Sequence, residues 1–235
     1  MKTSKQLFRS GRYALLALTF LALACEDSPT GLGPPSDPDP GNDQTVGDLV
    51  TETRQVHGFT SIAADIAGML VIKETGEESL TIEAEAAYLD MIQSQVVDGR
   101  LVLTTNGDLS LHLEGNITVY VTVADLDDID LAGVVQAEAS DLDRSDLTVR
   151  MAEMAAMTAR GSVGTLDLFV EGQGSFQGEG LQVASAVVNL SGISTAALNV
   201  VNFLEVDASG SATLEYWGDP QVVARVSERA TITHR

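Results

Sequence analysis

From residue 49 onward, apolar and polar residues alternate with a period of two, the pattern of strands that bury one face. Met69 to Lys73, Leu80 to Ala84, Leu101 to Thr105 and Ile117 to Val123 read as strands on this basis. The stretch from Glu83 to Gln93 reads as one short helix, with Leu89 and Ile92 facing the core. Gly76, Gly99 and Gly107 punctuate turns.

In the second half the alternation repeats at a fixed interval. Gly115, Gly133, Glu153, Gly172, Gly192 and Gly210 form one column, separated by 18, 20, 19, 20 and 18 residues. Two residues earlier stand Leu113, Leu131, Met151, Val170, Leu190 and Ala208. Four residues earlier stand Leu111, Ile129, Val149, Leu168, Val188 and Val206. Both columns are apolar in every copy. Between them lie His112, Asp130, Arg150, Phe169, Asn189 and Asp207, mostly polar and therefore outward-facing. Two residues after the glycine column stand Ile117, Val135, Ala155, Gly174, Ser194 and Ala212, mostly small.

A unit of about 19 residues cannot enclose its own core, whereas stacked units bury a continuous one. The expected fold is therefore all-β: a right-handed parallel β-helix-like solenoid over residues 49–235, each rung about 4.8 Å above the last. An antiparallel β-sandwich is the alternative, since sandwiches show turns at similar spacing, though without column-wise repetition. Glu153 interrupts the glycine column, so its corner is expected to differ from the others. Met151, Met154 and Met157 have helical spacing but read as core filler within one rung. Tyr216-Trp217-Gly218-Asp219-Pro220 is expected to close one end of the stack.

Composition adds a destination. Aromatics make up only 5% of the 235 residues, so the core must be aliphatic. Residues 1–24 carry Lys2, Lys5, Arg9 and Arg12, then the uncharged run Ala14 to Ala24, too short to span a bilayer. This reads as a signal peptide. Cys25, the single cysteine, follows at once, and Leu21-Ala22-Leu23-Ala24-Cys25 resembles the lipobox of bacterial lipoproteins, in which the cysteine is lipid-modified after cleavage. An ordinary Ala22-Leu23-Ala24 cleavage site would cut the same bond and leave Cys25 unmodified. Residues 25–48 hold the cysteine and a spacer with five of the six prolines, expected to be a disordered tether. Removing the leader takes four of the 13 basic residues and none of the 34 acidic ones, which moves the net charge from −21 to −25. That field excludes nucleic acid as a partner.

Residues from about Gly58 to Val223 resemble the head GIN domain, also called the putative auto-transporter adhesin head domain. The resemblance rests on Gly58-Phe59, a Gly-led strand at Gly68 to Ile72, and the Gly99-Arg100-Leu101 turn. It also rests on the corners Gly172-Gln173-Gly174 and Ser209-Gly210-Ser211, and on the closing Tyr216, Gly218 and Pro220. It implies a β-helical fold, export and a cell-envelope setting. It brings no catalytic residue with it.

The search for chemistry is correspondingly short. Gly192-Ile193-Ser194-Thr195-Ala196 lacks the last glycine of a nucleophile elbow and reads as a rung corner. Gly172, Gly174 and Gly178 miss the dinucleotide spacing by one residue. His57, His112 and His234 have no metal spacing. No cofactor is expected. Ca²⁺ is the one metal that the clusters Asp125, Asp127, Asp128, Asp130 and Asp141, Asp143, Asp146 would take, but neither has a recognised Ca²⁺-loop spacing, so a solvated acidic face is the expectation. Arg150, in the same outward column as Asp130, is the best hint of a carbohydrate-active enzyme. The expected role is nevertheless binding, in adhesion or contact with a glycan or envelope protein. The contact ladder would be Asp130, Arg150, Phe169, Asn189 and Asp207, with Phe169 as the exposed aromatic anchor. A structural envelope protein is a further reading. The remaining expected partners are the membrane, through lipid on Cys25 at the outer membrane or periplasmic face, and other copies of the chain.

Overall fold

A computed structural model describes residues 48–106 and 117–235. The residues read as signal peptide, lipid-bearing Cys25 and tether up to residue 47, and the expected rung around His112 and Gly115, lie outside the described residues.

The described chain is almost entirely strand. Its elements are β1 (Leu49–Arg54), β2 (Ser61–Asp65), β3 (Gly68–Glu74), β4 (Ser79–Glu85), α1 (Ala86–Leu89), β5 (Ile92–Val97), β6 (Arg100–Thr105) and β7 (Thr118–Val123). There follow β8 (Asp128–Ala132), β9 (Val135–Met151), β10 (Ala156–Val170), β11 (Ser175–Leu190), β12 (Thr195–Ala208), β13 (Thr213–Trp217), β14 (Gln221–Val226) and β15 (Thr231–His234). The four strands read from alternation are all present. The expected helix is not: α1 is a single four-residue turn, and Ile92 begins a strand. Ile92 is still buried and Leu89 still packs on the core. Alternation in Ile92–Val97, masked by its glutamines and serine, outweighs the weak helical spacing.

The strands build a solenoid of parallel rungs, not a sandwich. One flank stacks β6, β2, β8, the last residues of β9 to β12 and then β14, all parallel. The other flank stacks β7, β3, the first residues of β9 to β12, then β13 and β15, also parallel. Along the outward column the register steps from Asp130 to Arg150, Phe169, Asn189, Asp207 and Arg225, which are intervals of 20, 19, 20, 18 and 18 residues. Antiparallel pairing is confined to the N-terminal end, in β1–β4–β7 and β5–β6. Asp98 (φ 49°) and Gly99 (φ 77°) make the two-residue link of the β5–β6 hairpin, where positive φ at both positions matches the strand twist.

The apolar columns form the core. Ile129, Val149, Leu168, Val188 and Val206 are buried, as are Leu131, Met151, Val170, Leu190 and Ala208. Burying each large aliphatic side chain is worth roughly 1.5–3 kcal/mol. Repetition of the same two positions in every rung therefore gives each layer the same contribution to the buried core. Met151 and Met157 belong to this core, but Met154 is 53% exposed at a corner, contrary to the core reading of all three.

The glycine column is a stacked left-handed corner. Gly133, Gly172, Gly192 and Gly210 all have φ between 73° and 79°. Each corner carbonyl accepts a hydrogen bond from the rung above, as in Ile193 N–H to Gly172 O and Ser211 N–H to Gly192 O, both 2.7 Å. A Cβ on Gly192 would lie 2.6 Å from Gly172 O. Glu153 does not make a different corner: it takes φ 60°, and Gln173 N–H donates to its carbonyl at 2.7 Å. The column also runs one step beyond the sequence reading, to Glu228 at φ 62°, with Arg229 N–H bonded to Gly210 O. Consequently Tyr216–Pro220 does not close the stack. It links β13 to a further rung formed by β14 and β15.

Candidate functional site

The outward column of the first flank is the candidate contact surface. The rung repeat places Asp130, Arg150, Phe169, Asn189 and Asp207 in direct register, one residue per rung. Neighbours along it are therefore about 4.8 Å apart in backbone terms. A parallel column two residues earlier holds Asp128, Thr148, Asp167, Val187 and Glu205.

Charge organises the lower half of this surface. Arg100 reaches Asp128 Oδ1 at 2.9 Å and Asp130 Oδ2 at 3.4 Å. Arg150 bonds to the other oxygen of Asp128. Asp128, with only 16% of its side chain exposed, thus sits between two guanidinium groups. The pairing anticipated between Arg150 and Asp130 is replaced by this shared arrangement, because Arg150 can reach either outward column and Arg100 already occupies Asp130.

The guanidinium of Arg150 lies 5.6 Å from the centre of the Phe169 ring, a cation–π contact. Phe169 is half-buried rather than freely exposed, since Arg150 covers part of its face. Asp130, Arg150, Met151, Ala152, Phe169 and Glu171 line an open cleft of about 340 Å³. One aromatic face, one cation and two carboxylates converge there. Asn189 and Asp207 lie further up the column, outside that lining.

The rest of the first acidic cluster is engaged by Arg144. Arg144 bridges Asp125 at 2.5 Å, Asp127 at 2.7 Å and Glu74 at 3.4 Å, and Glu74 also accepts the Asp143 N–H at 3.0 Å. Partial burial pulls the Arg144 pKa down, but the hydrogen bonds to Asp127 and Asp125 outweigh it and the net shift is upward. The first acidic cluster is therefore an ion-paired network built on Arg100, Arg144 and Arg150, not a face of free solvated carboxylates. Among the described residues, no group of three or more His, Cys, Asp or Glu side chains converges as a metal site would require. In the second cluster Asp141 pairs with Lys73 at 3.3 Å. His234 stacks on Tyr216 at 4.9 Å and hydrogen-bonds the Gly218 carbonyl, and His57 is exposed. Ser194 is fully buried at its corner, and its hydroxyl has no hydrogen-bond partner.

Sequence reasoning missed Arg100, Asp128 as the shared carboxylate, and Glu171. Asp128 had a legible signal, two residues before Asp130 and so on the same face. Arg100 had none, because its rung is joined to β8 through β2, from a distant part of the sequence.

A parallel β-solenoid with stacked glycine corners places the chain in the class of β-solenoid repeat proteins. Residues 58–220 match the family described as putative auto-transporter adhesin, head GIN domain, and the chain belongs to that family. The solved structure of a putative adhesin from Bacteroides fragilis is similar at 17% identity, with a TM-score of 0.58, over 80% of this chain and 96% of that one. A putative adhesin from Parabacteroides merdae is similar at 13% identity with a TM-score of 0.51, over 80% and 97% of the two chains. A putative lipid binding protein from Parabacteroides distasonis gives 13% identity, a TM-score of 0.50, and the same coverages. At these identities the likeness is one of fold. No curated protein matches the sequence.

Proposed function

We propose that this protein is a non-enzymatic binding protein of the bacterial cell envelope, anchored by lipid on Cys25, that uses its outward ladder in adhesion to a glycan. The observation that carries the reading is the cleft between Asp130 and Glu171, where Arg150 and Phe169 stack on an otherwise flat strand surface. A sugar ring presents an apolar face to an aromatic side chain and hydroxyls to carboxylates and guanidinium groups at its rim. Family membership supports an adhesion-type role, and the leader with its lipobox-like end supports an envelope address.

Binding is favoured over hydrolysis or elimination by what the carboxylates already do. Both oxygens of Asp128 and one of Asp130 are engaged by arginines that fix their orientation.

The test is a polysaccharide panel, with and without Ca²⁺, reading retained protein and released sugar together. Retention without release is expected, and Phe169→Ala should reduce it at least tenfold while the far-ultraviolet spectrum stays that of a β-protein. Release of sugar would replace this reading with an enzyme, and loss of retention on chelation would add a metal. Retention indifferent to Phe169→Ala would move the contact away from the cleft.

A further inference from the structure

Asp128 is the first residue of β8 and does not line the cleft, yet the charges of the cleft are joined through it. In its outward column it stands between Ser61 of β2 and Thr148 of β9. Both neighbours are short, so long side chains can reach it from either side. Arg100 passes over Ser61 from β6 to Oδ1, and Arg150 crosses from the adjacent column of β9 to Oδ2. The Asp128 side chain is largely covered by this pairing, whereas 47% of the Arg150 side chain remains exposed beside Phe169.

The consequence is electrostatic. The charge of Arg150 is answered by Asp128, and one face of its guanidinium lies on Phe169. Arg100 is likewise held by Asp128 and Asp130. Arg100 and Arg150 against Asp128, Asp130 and Glu171 leave this part of the surface at −1, in a chain whose net charge is −21. A sugar carboxylate entering the cleft would have to displace Asp128 from Arg150, or lie against Asp130 and Glu171 without a counter-charge of its own. Like charges forced together discriminate strongly between ligands of the same shape. An uncharged sugar meets no such penalty. Its hydroxyls donate to the carboxylates and accept from the guanidinium, and its apolar face suits the aromatic ring.

We infer that Asp128 is a specificity-determining residue: by answering the charge of Arg150 it restricts the cleft to uncharged glycans and excludes acidic ones. It acts through Arg150 and is not itself a contact residue. The inference rests on the glycan reading of the cleft, and adds the class of sugar and the residue that selects it.

The experiment measures retention of the full chain on polyuronic acids and on the same polymers after reduction of their carboxyl groups to alcohols. Each pair then shares a backbone and differs in charge. At about 0.15 M salt a Debye length of about 8 Å screens the field of the whole protein but not charges in contact. Wild type is expected on reduced polymers and not on their acidic parents. Asp128→Asn with Glu171→Gln leaves Arg100 and Arg150 against Asp130, a local charge of +1, and leaves Arg150 unanswered. This variant should gain retention on a polyuronic acid by about tenfold or more, the scale of one charge-assisted hydrogen bond. Adding Arg150→Gln should abolish the gain, which a misfolded, adhesive variant would keep. Glu138→Gln with Glu179→Gln changes the net charge equally, at exposed positions outside the cleft, and should gain nothing. The inference is overturned by wild type held equally on parent and reduced polymers, by a variant that gains nothing, by a gain that survives Arg150→Gln, or by an equal gain in the remote control. Each of those results leaves binding that depends on Phe169 standing. Wild type held by no reduced polymer, or held regardless of Phe169→Ala, would instead sink the glycan reading, and this inference with it.

Discussion

Ser194 is the residue whose environment least suits its side chain. It occupies the small-residue position of the corner, where the rung below has Gly174 and the rung above has Ala212. Its backbone carbonyl is used by Thr213, but its hydroxyl is buried without a partner. Leaving a buried hydroxyl unpaired costs about 1–3 kcal/mol, and alanine fits the same space. Ser194→Ala should therefore raise stability by about 1 kcal/mol in a denaturant titration. A loss of stability would mean the hydroxyl has a bonding role. The same corner shows how far single residues could be read in advance. Glycines spaced by 18 to 20 residues marked it, because positive φ is cheap only for glycine. Glu153 and Glu228 hold the same conformation without the glycine signature, which is why one was expected to differ and the other was not seen. They are held there by the ladder of hydrogen bonds passing through neighbouring corners, which local sequence does not display.

Between elements, the junction of β2 with its preceding turn depends on one carboxylate. Glu78, in the loop before β4, accepts the Gly58 N–H at 2.8 Å and the Phe59 N–H at 2.9 Å, while Gly58 takes φ 74°. These backbone hydrogen bonds, that from Gly58 first, hold the Glu78 pKa below its ordinary value, against a smaller opposing effect of burial. A carboxylate whose folded pKa is depressed contributes stability that is complete above the unfolded pKa, about 4.3, and is lost as pH falls through the folded value. Between pH 5 and pH 3 the wild type should therefore lose more thermal stability than Glu78→Gln. Parallel curves for the two proteins would mean that the carboxylate charge is not what holds this turn. The link is invisible to sequence patterning, since Glu78 lies 20 residues from Gly58 and belongs to no repeat. The outward ladder was legible for the opposite reason. Its members share one position of the repeat, so rung spacing alone puts them in register. What each side chain then grasps was not legible, because an arginine reaches across two columns and chooses by what is already occupied.

For the whole molecule, a stack in which each rung touches only its neighbours has a stability profile along its axis. Interior rungs are paired on both sides. The last rung is paired on one, and its apolar side chains remain half-exposed. Hydrogen exchange should accordingly be slowest in β9 to β11 and fastest in β14 and β15, with intermediate protection in β12. Uniform protection from β9 to β15 at high dilution would show that the terminal rung is stabilised by something other than pairing.

The sequence by itself determined the period of the rung, the two inward columns, the glycine corners and the outward ladder. All follow from one rule: the same position recurs in every layer, and burial must be the same in every layer. Tertiary structure alone decided the antiparallel N-terminal layer, the sharing of Asp128 by two arginines, the collapse of the expected helix to one turn, and the rung beyond Pro220. The reason is physical. Strand alternation and stacking are set by backbone geometry and repeat from layer to layer. Ends of the stack and long charged side chains have no repeating neighbour, so their partners are fixed only once the chain is folded around them.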